Sequence, residues 1–278
     1  MPASTLPSGR KLGNRKRSYD SKRLFFNHYL DRKAVVPPSV ALDMSVAPLI
    51  VANPWIMTSM LCNGPSPSNP PQIPDGIGCC WWAAAARRAA TAAASVGKLL
   101  WTSEADMIKA VLQGYASTGF DINNATATDQ GTDPTEGDAY MKSTGLLCSD
   151  GTYVKVATTL SVNPQDWNEV MLAFQVSAGN LRIGVNFPQA WETAAVWDQT
   201  SSPSAGGHEI PGYSNLKVTP AGIWIRSWGE GRILTSAGLS QNGQDVSIDV
   251  TLDQLGPGGI NIAGFDNAAV IADIQVTP

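Results

Sequence analysis

Two histidines, four cysteines and 15% charged residues are a thin supply of reactive groups for 278 residues. Each scarcity excludes something. Cys62, Cys79, Cys80 and Cys148 match no zinc-ligand spacing, and His28 and His208 cannot complete a site, so no metal or other cofactor is expected. Adjacent cysteines rarely bridge because the geometry is strained, and four thiols do not make a disulfide scaffold. Free thiols in a reducing setting are the expectation. No stretch offers eighteen uninterrupted apolar residues, the minimum for a membrane span. The nearest, 46–60, is broken by Pro48 and Pro54. The apolar run that a secretory signal needs behind its positive end is missing too, since Leu24-Phe25-Phe26 is too short.

The charge that is present is unevenly placed. Residues 1–33 hold nine Lys/Arg against two Asp, while the rest holds ten against twenty-one. The net charge of −4 is thus the sum of a basic arm and an acidic body. An acidic body repels phosphate, so nucleic acid is not an expected partner, whereas the arm suits an acidic protein surface. The arm is too poor in apolar residues to form its own core, and Pro37-Pro38 excludes a helix there. We divide the chain into an extended basic arm, 1–50, and one domain, 51–278.

Along the domain a loop rich in Pro, Gly, Ser and Asn, 63–78, precedes an alanine-rich helix from Cys80 to about Ser95. Arg87 and Arg88 give this helix a face toward solvent or an acidic neighbour. Further helices are expected from Glu104 to about Thr118 and from Pro134 to Thr144, the latter ended by Gly145. The pattern then changes. Strands are expected at 153–160, 181–187, 209–213, 222–227, 246–252 and 269–276, with one helix at 168–176. Helices first and strands later indicate an α+β fold, with N-terminal helices packed on a C-terminal antiparallel sheet.

A cysteine at the mouth of a helix, as in Gly78-Cys79-Cys80-Trp81-Trp82, sits where the helix dipole and unpaired N–H groups favour the thiolate. The turn Gly206-Gly207-His208 supplies the base such a thiolate needs. Cys80 and His208 are therefore the candidate nucleophile and general base, 128 residues apart, with Cys80 expected to be the most reactive thiol. Asp129-Gln130-Gly131-Thr132-Asp133 reads as a helix cap rather than a calcium loop, because the later ligands are missing.

The Cys-Trp helix start, the Gly207-His208 strand and the Ser227-Trp228-Gly229 strand come in the order and spacing that resemble the papain-like cysteine peptidases. From about Lys11 to Gly229 the chain also resembles a group of phage- and prophage-encoded proteins. They share the Lys11-Leu12-Gly13 opening, the 129–133 segment, Ala139 to Gly145, Gly184-Val185-x-x-Pro188, the Gly-Gly-His turn and Ser-Trp-Gly. The resemblance implies a papain-like cysteine peptidase fold preceded by the basic arm, with Trp81 and Trp228 walling the cleft. It also exposes departures. Arg226 stands where the family has the Asn that orients the histidine. Pro74 stands where it has the Gln or Asn of the oxyanion hole, so Gln72 or Asn63 would have to supply that donor. Cys79 replaces the usual Asp. An arginine at 226 would oppose the imidazolium. The function these features imply is a virion-associated phage structural protein with a degraded or weakly active Cys/His site. Its arm would contact other phage structural proteins, in the virion or in the host cytoplasm during assembly. The alternative is an active papain-like thiol hydrolase that cleaves peptide or isopeptide bonds.

Overall fold

The computed structural model describes residues 3–18, 23–26, 47–95, 97–177, 181–214, 222–249 and 252–255. The first strands are β1 (Ser4–Thr5), β2 (Lys11–Leu12) and β3 (Leu24–Phe25). Helices α1 (Pro48–Ala52), α2 (Trp55–Thr58), α3 (Cys80–Ser95), α4 (Glu104–Ala116), α5 (Ala125–Thr128) and α6 (Pro134–Ser143) follow. Next come β4 (Leu146–Leu147), β5 (Tyr153–Val156), β6 (Thr159–Val162), α7 (Trp167–Val176), β7 (Leu181–Pro188), β8 (Val196–Trp197) and β9 (Ser204–Ser214). The described part closes with β10 (Gly222–Ser227), β11 (Glu230–Thr235), α8 (Ser236–Asn242), β12 (Gly243–Asp249) and β13 (Leu252–Leu255).

Local signals start the helices. The Ser103 hydroxyl accepts the Asp106 N–H at the head of α4, and Asp133 caps α6 through the Thr135 N–H with Pro134 in the first turn. Alanine propensity and small volume let α3 run through the middle of its layer, with every described side chain along it buried. Arg87 and Arg88 are buried as well, so of the two expected surroundings, solvent or an acidic neighbour, Arg88 has the second. Arg88 pairs with Asp249 of β12, and Arg87 donates to the carbonyls of Ile56 (3.0 Å) and Ser59 (2.6 Å). Glycines admit the two indoles that follow Cys80. A Cβ at Gly114 of α4 would lie 2.3 Å from the Trp82 ring, and one at Gly137 of α6 would lie 2.6 Å from Trp81.

The eight-stranded sheet has the order β3-β6-β12-β7-β9-β10-β11-β8. Its pairings are antiparallel except at the two edges, where β3 joins β6 and β8 joins β11 in parallel. Two apolar cores result, one around α3 with α4 and α6, the other on the sheet under α7 and α8. Leu6, Leu12 and Phe26, from the expected arm, belong to the second core. The arm's described segments therefore pack on this chain's own body. The strand expected at 153–160 is two short strands, β11 and α8 were not anticipated, and the strand expected at 269–276 lies outside the described residues. Among the described residues no helix is long and apolar enough to cross a membrane.

Candidate functional site

Cys80 begins α3, and α3 packs along β9, which carries His208. Both side chains line one cavity of about 10 Å³, room for a single water, together with Asn63, Arg226, Ser227 and Trp228. The His208 ring is buried and stacks on Trp228 at 4.3 Å, with the Phe187 ring meeting it edge-on. Its Nε2 lies 2.8 Å from the Ser227 hydroxyl, and its Nδ1 has no hydrogen-bond partner among the described residues. Successive strand residues face opposite ways. On β10 it is Ser227, and not Arg226, that reaches the imidazole. The Ser-Trp-Gly motif contained this hydroxyl, but sequence reading passed over it.

Arg226 donates to the Gly229 carbonyl at 2.9 Å and lies 6.0 Å from the centre of the Tyr213 ring. The charge that opposes the imidazolium belongs to Arg10 instead. Its guanidinium sits over Trp228 (5.2 Å) and pairs with Glu230 (2.5 Å). Burial first, and the Arg10 charge second, lower the His208 pKa to about 3. The imidazole is neutral at ordinary pH.

The thiol departs from expectation in the same sense. The N–H groups of Glu209, Gly13 and Trp81 face the Cys80 sulfur and lower its pKa, yet burial outweighs them and pushes it up to about 12. A helix N-terminus favours a thiolate only where water or charge also reaches it. Here Cys80 is 1% exposed. Neighbouring Cys79 points into the helical core and donates to the Leu61 carbonyl at 3.2 Å.

Asn63 is buried, and its amide donates to the Ile77 carbonyl at 3.0 Å. Gln72 is exposed and lines a separate cavity of about 250 Å³, with Pro74, Asp75 and Asp129. Of the two oxyanion candidates only Asn63 is brought to Cys80. Trp228 walls the cavity, whereas Trp81 is packed behind it under the Arg182 guanidinium (4.9 Å). Asp129 accepts the Gly78 N–H (2.9 Å) and the Tyr115 hydroxyl (2.6 Å), which fixes the turn before Cys80.

The arm reaches the sulfur through the Gly13 N–H. Residues 11–15 run between the 129–133 segment and β9. Lys11 N–H donates to Asn63 O (3.2 Å), Thr132 N–H to Gly13 O (2.6 Å), Asn14 N–H to Gly207 O (3.1 Å) and Arg15 N–H to Thr132 O (2.8 Å). The approach is so close that side chains are excluded. A Cβ at Gly13 would stand 1.7 Å from Gly78 O, one at Gly131 2.2 Å from Gly13 O, and one at Gly207 2.0 Å from Asn14 O. Four motifs scattered through the sequence, Lys-Leu-Gly, Gly-Cys-Cys, the 129–133 segment and Gly-Gly-His, meet at this crossing.

No family model matches the sequence, and no curated protein matches it. Solved structures do. Xylellain, a cysteine protease from Xylella fastidiosa, is 14% identical over 89% of this chain and 97% of its own, with a TM-score of 0.59. A procathepsin B from Trypanosoma congolense is 10% identical over 84% of each chain, with a TM-score of 0.52. The fold is that of the papain-like cysteine proteases. The phage and prophage resemblance gains nothing from these structures and rests on sequence motifs alone.

Proposed function

We propose that the protein is a thiol-dependent hydrolase of peptide or isopeptide bonds, with Cys80 as nucleophile and His208 as base, held closed by its own N-terminal segment. One observation carries this reading. Cys80 and His208 line a common cavity, and Ser227 occupies Nε2 of the imidazole while Nδ1 has no hydrogen-bond partner among the described residues. That is the arrangement of a nucleophile, a base and an orienting group. In the open form Nδ1 takes the Sγ proton and the thiolate attacks the carbonyl carbon. The C–N bond breaks as the imidazolium returns the proton to the leaving amine. Water then cleaves the thioester, with His208 accepting its proton and the thiol re-forming. The first N–H groups of α3 and the second amide hydrogen of Asn63 are the donors available to the oxyanion.

The closed form is chemically idle for two reasons. A thiol near pKa 12 and an imidazole near 3 are both neutral, the reverse of a thiolate–imidazolium pair. The sulfur also faces the Gly13 N–H, the donor edge of a peptide group and not the face of a carbonyl, so the arm is not attacked. Displacing the arm admits water to both groups and draws Arg10 away with the strand. The same neutral pair favours a second reading, an inert papain-like block in a virion, as the phage resemblance implies. Full-length protein carrying Gly13→Ala separates the two. Peptide turnover that disappears in the additional Cys80→Ala or His208→Ala variant supports the hydrolase. Alkylation of Cys80 without turnover of any peptide or isopeptide leaves the structural role.

A further inference from the structure

Cys80, Ala83, Ala84 and Arg87 follow the i, i+3, i+4, i+7 spacing of one stripe along α3. All four line the cavity of about 10 Å³ beside His208, and Arg226 of β10 lines it from the sheet. Helix side chains lean toward the N-terminus, and the two small alanines leave Arg87 room to do so. Arg87 is 4% exposed. Its hydrogen bonds go to carbonyl oxygens, that of Ile56 (3.0 Å) in α2 and that of Ser59 (2.6 Å) just after it. Arg226 likewise donates to the Gly229 carbonyl (2.9 Å), and its buried Nε has no hydrogen-bond partner among the described residues.

Among the described residues no carboxylate pairs with either guanidinium. Burial first, and the charge of Arg226 second, lower the Arg87 pKa to about 10, so it stays a cation at ordinary pH. Glu209 lines the same cavity, but its oxygens meet Arg182 (3.2 Å) and Asn14 (2.8 Å), and burial raises its carboxyl to about 8. His208 is neutral there, with its pKa near 3. Residues 215–221, between β9 and β10, contain no Asp or Glu.

A buried charge that nothing opposes is strongly unfavourable, and two of one sign on a common cavity also repel. Arginine does not escape by giving up its proton. The remaining counter-charge is an anion from outside the chain. The cavity has room for one water, and a halide is little larger, whereas a carboxylate or a phosphate brings several heavy atoms.

We infer that Arg87 and Arg226 form a site for one small monoanion, a halide such as chloride, where α2, α3 and β10 meet beside Cys80. The bound ion neutralises the pair and ties the helical layer to the sheet. The site stands whether or not Cys80 performs hydrolysis.

The test uses the full-length protein in sodium gluconate, whose anion is too large for the cavity. Chloride replaces gluconate at constant ionic strength while the melting temperature is followed. A ligand that binds only the folded state stabilises it, so the midpoint should rise saturably, by about 2 °C or more at about 0.1 M chloride. Bromide should act like chloride, and crystals grown in bromide should show an anomalous peak between the Arg87 and Arg226 guanidinium groups. Arg226→Gln should abolish the chloride-dependent rise. Lys109→Gln, which removes an exposed cation from α4, should keep it. Equal melting in chloride and gluconate overturns the inference, as does an undiminished rise in Arg226→Gln or a bromide peak found only elsewhere. A rise with formate but none with chloride assigns the cavity to a carboxylate and overturns the halide site.

Discussion

Replacing Gly13 with alanine should expose the thiol at Cys80. The new Cβ would stand 1.7 Å from Gly78 O, where ordinary contact needs 3.4 Å or more, so the strand must retreat by well over an ångström. Gly78 cannot yield, because its N–H is clamped by Asp129 and it leads directly into α3. Three backbone hydrogen bonds sit at the clash or just after it, those from Thr132 to Gly13, Asn14 to Gly207 and Arg15 to Thr132. At roughly 0.5–1.5 kcal/mol each, their loss weakens the closed state by about 1.5–4.5 kcal/mol. That is a shift of roughly ten- to a thousandfold toward the open form at about 1.4 kcal/mol per decade. The assay is timed iodoacetamide labelling followed by mass spectrometry of the four cysteine peptides. In the intact protein Cys80 should label no faster than Cys148, whose thiol burial raises only to about 11, and its rate should climb with pH without a plateau near 8–9. In Gly13→Ala, Cys80 should label at least tenfold faster while Cys79, deep in the helical core, stays unreactive. An unchanged Cys80 rate in a protein that melts normally would refute the claim that the arm governs access.

Further outcomes follow from the same geometry. His208 has a folded pKa near 3 against about 6.5 unfolded, so the unfolded chain binds the extra proton between those values. Stability should therefore fall as pH drops from 6.5 toward 3, by up to roughly 5 kcal/mol, and His208→Asn should flatten that slope in acid melts. Glu209 acts with the opposite sign, its carboxyl raised by burial to about 8 against 4.5, so stability should decline as pH rises from 4.5 to 8 and Glu209→Gln should remove that decline. Ser227→Ala in the opened protein should lower kcat roughly tenfold with KM little changed, because only the orientation of the imidazole is lost. Gly114→Ala should cost about 1–3 kcal/mol in chemical denaturation, since its Cβ would meet the Trp82 ring at 2.3 Å.

The arm changes character between sequence and structure. Its charge suggests a docking device for an acidic surface on other chains. The structure supplies that complement from the same chain, in Asp138 and Asp245, both buried and both far from the arm in sequence. A charge census of the segment carries the sign of the partner but not its address.

Local chemistry in the sequence determined α3, α4 and α6, because alanine propensity, the Ser103 and Asp133 caps and Pro134 act within a turn of the chain. Motif order likewise singled out Cys80 and His208 as the pair to examine, and the structure places both on one cavity. Tertiary structure alone decided the rest. The register of β10 chose Ser227 over Arg226 as the neighbour of the imidazole, since one step along a strand reverses the face. The proximity of Arg10 to His208, and of Gly13 to Cys80, spans separations of about 200 and 70 residues that no local pattern encodes. The six-residue strand β11 and the seven-residue α8 were too short to leave a clear periodic signal. The thiol's protonation was the plainest reversal. The helix N-terminus that favours a thiolate is visible in the sequence, but the burial that outweighs it arises only in the folded chain, where α3 is packed along β9.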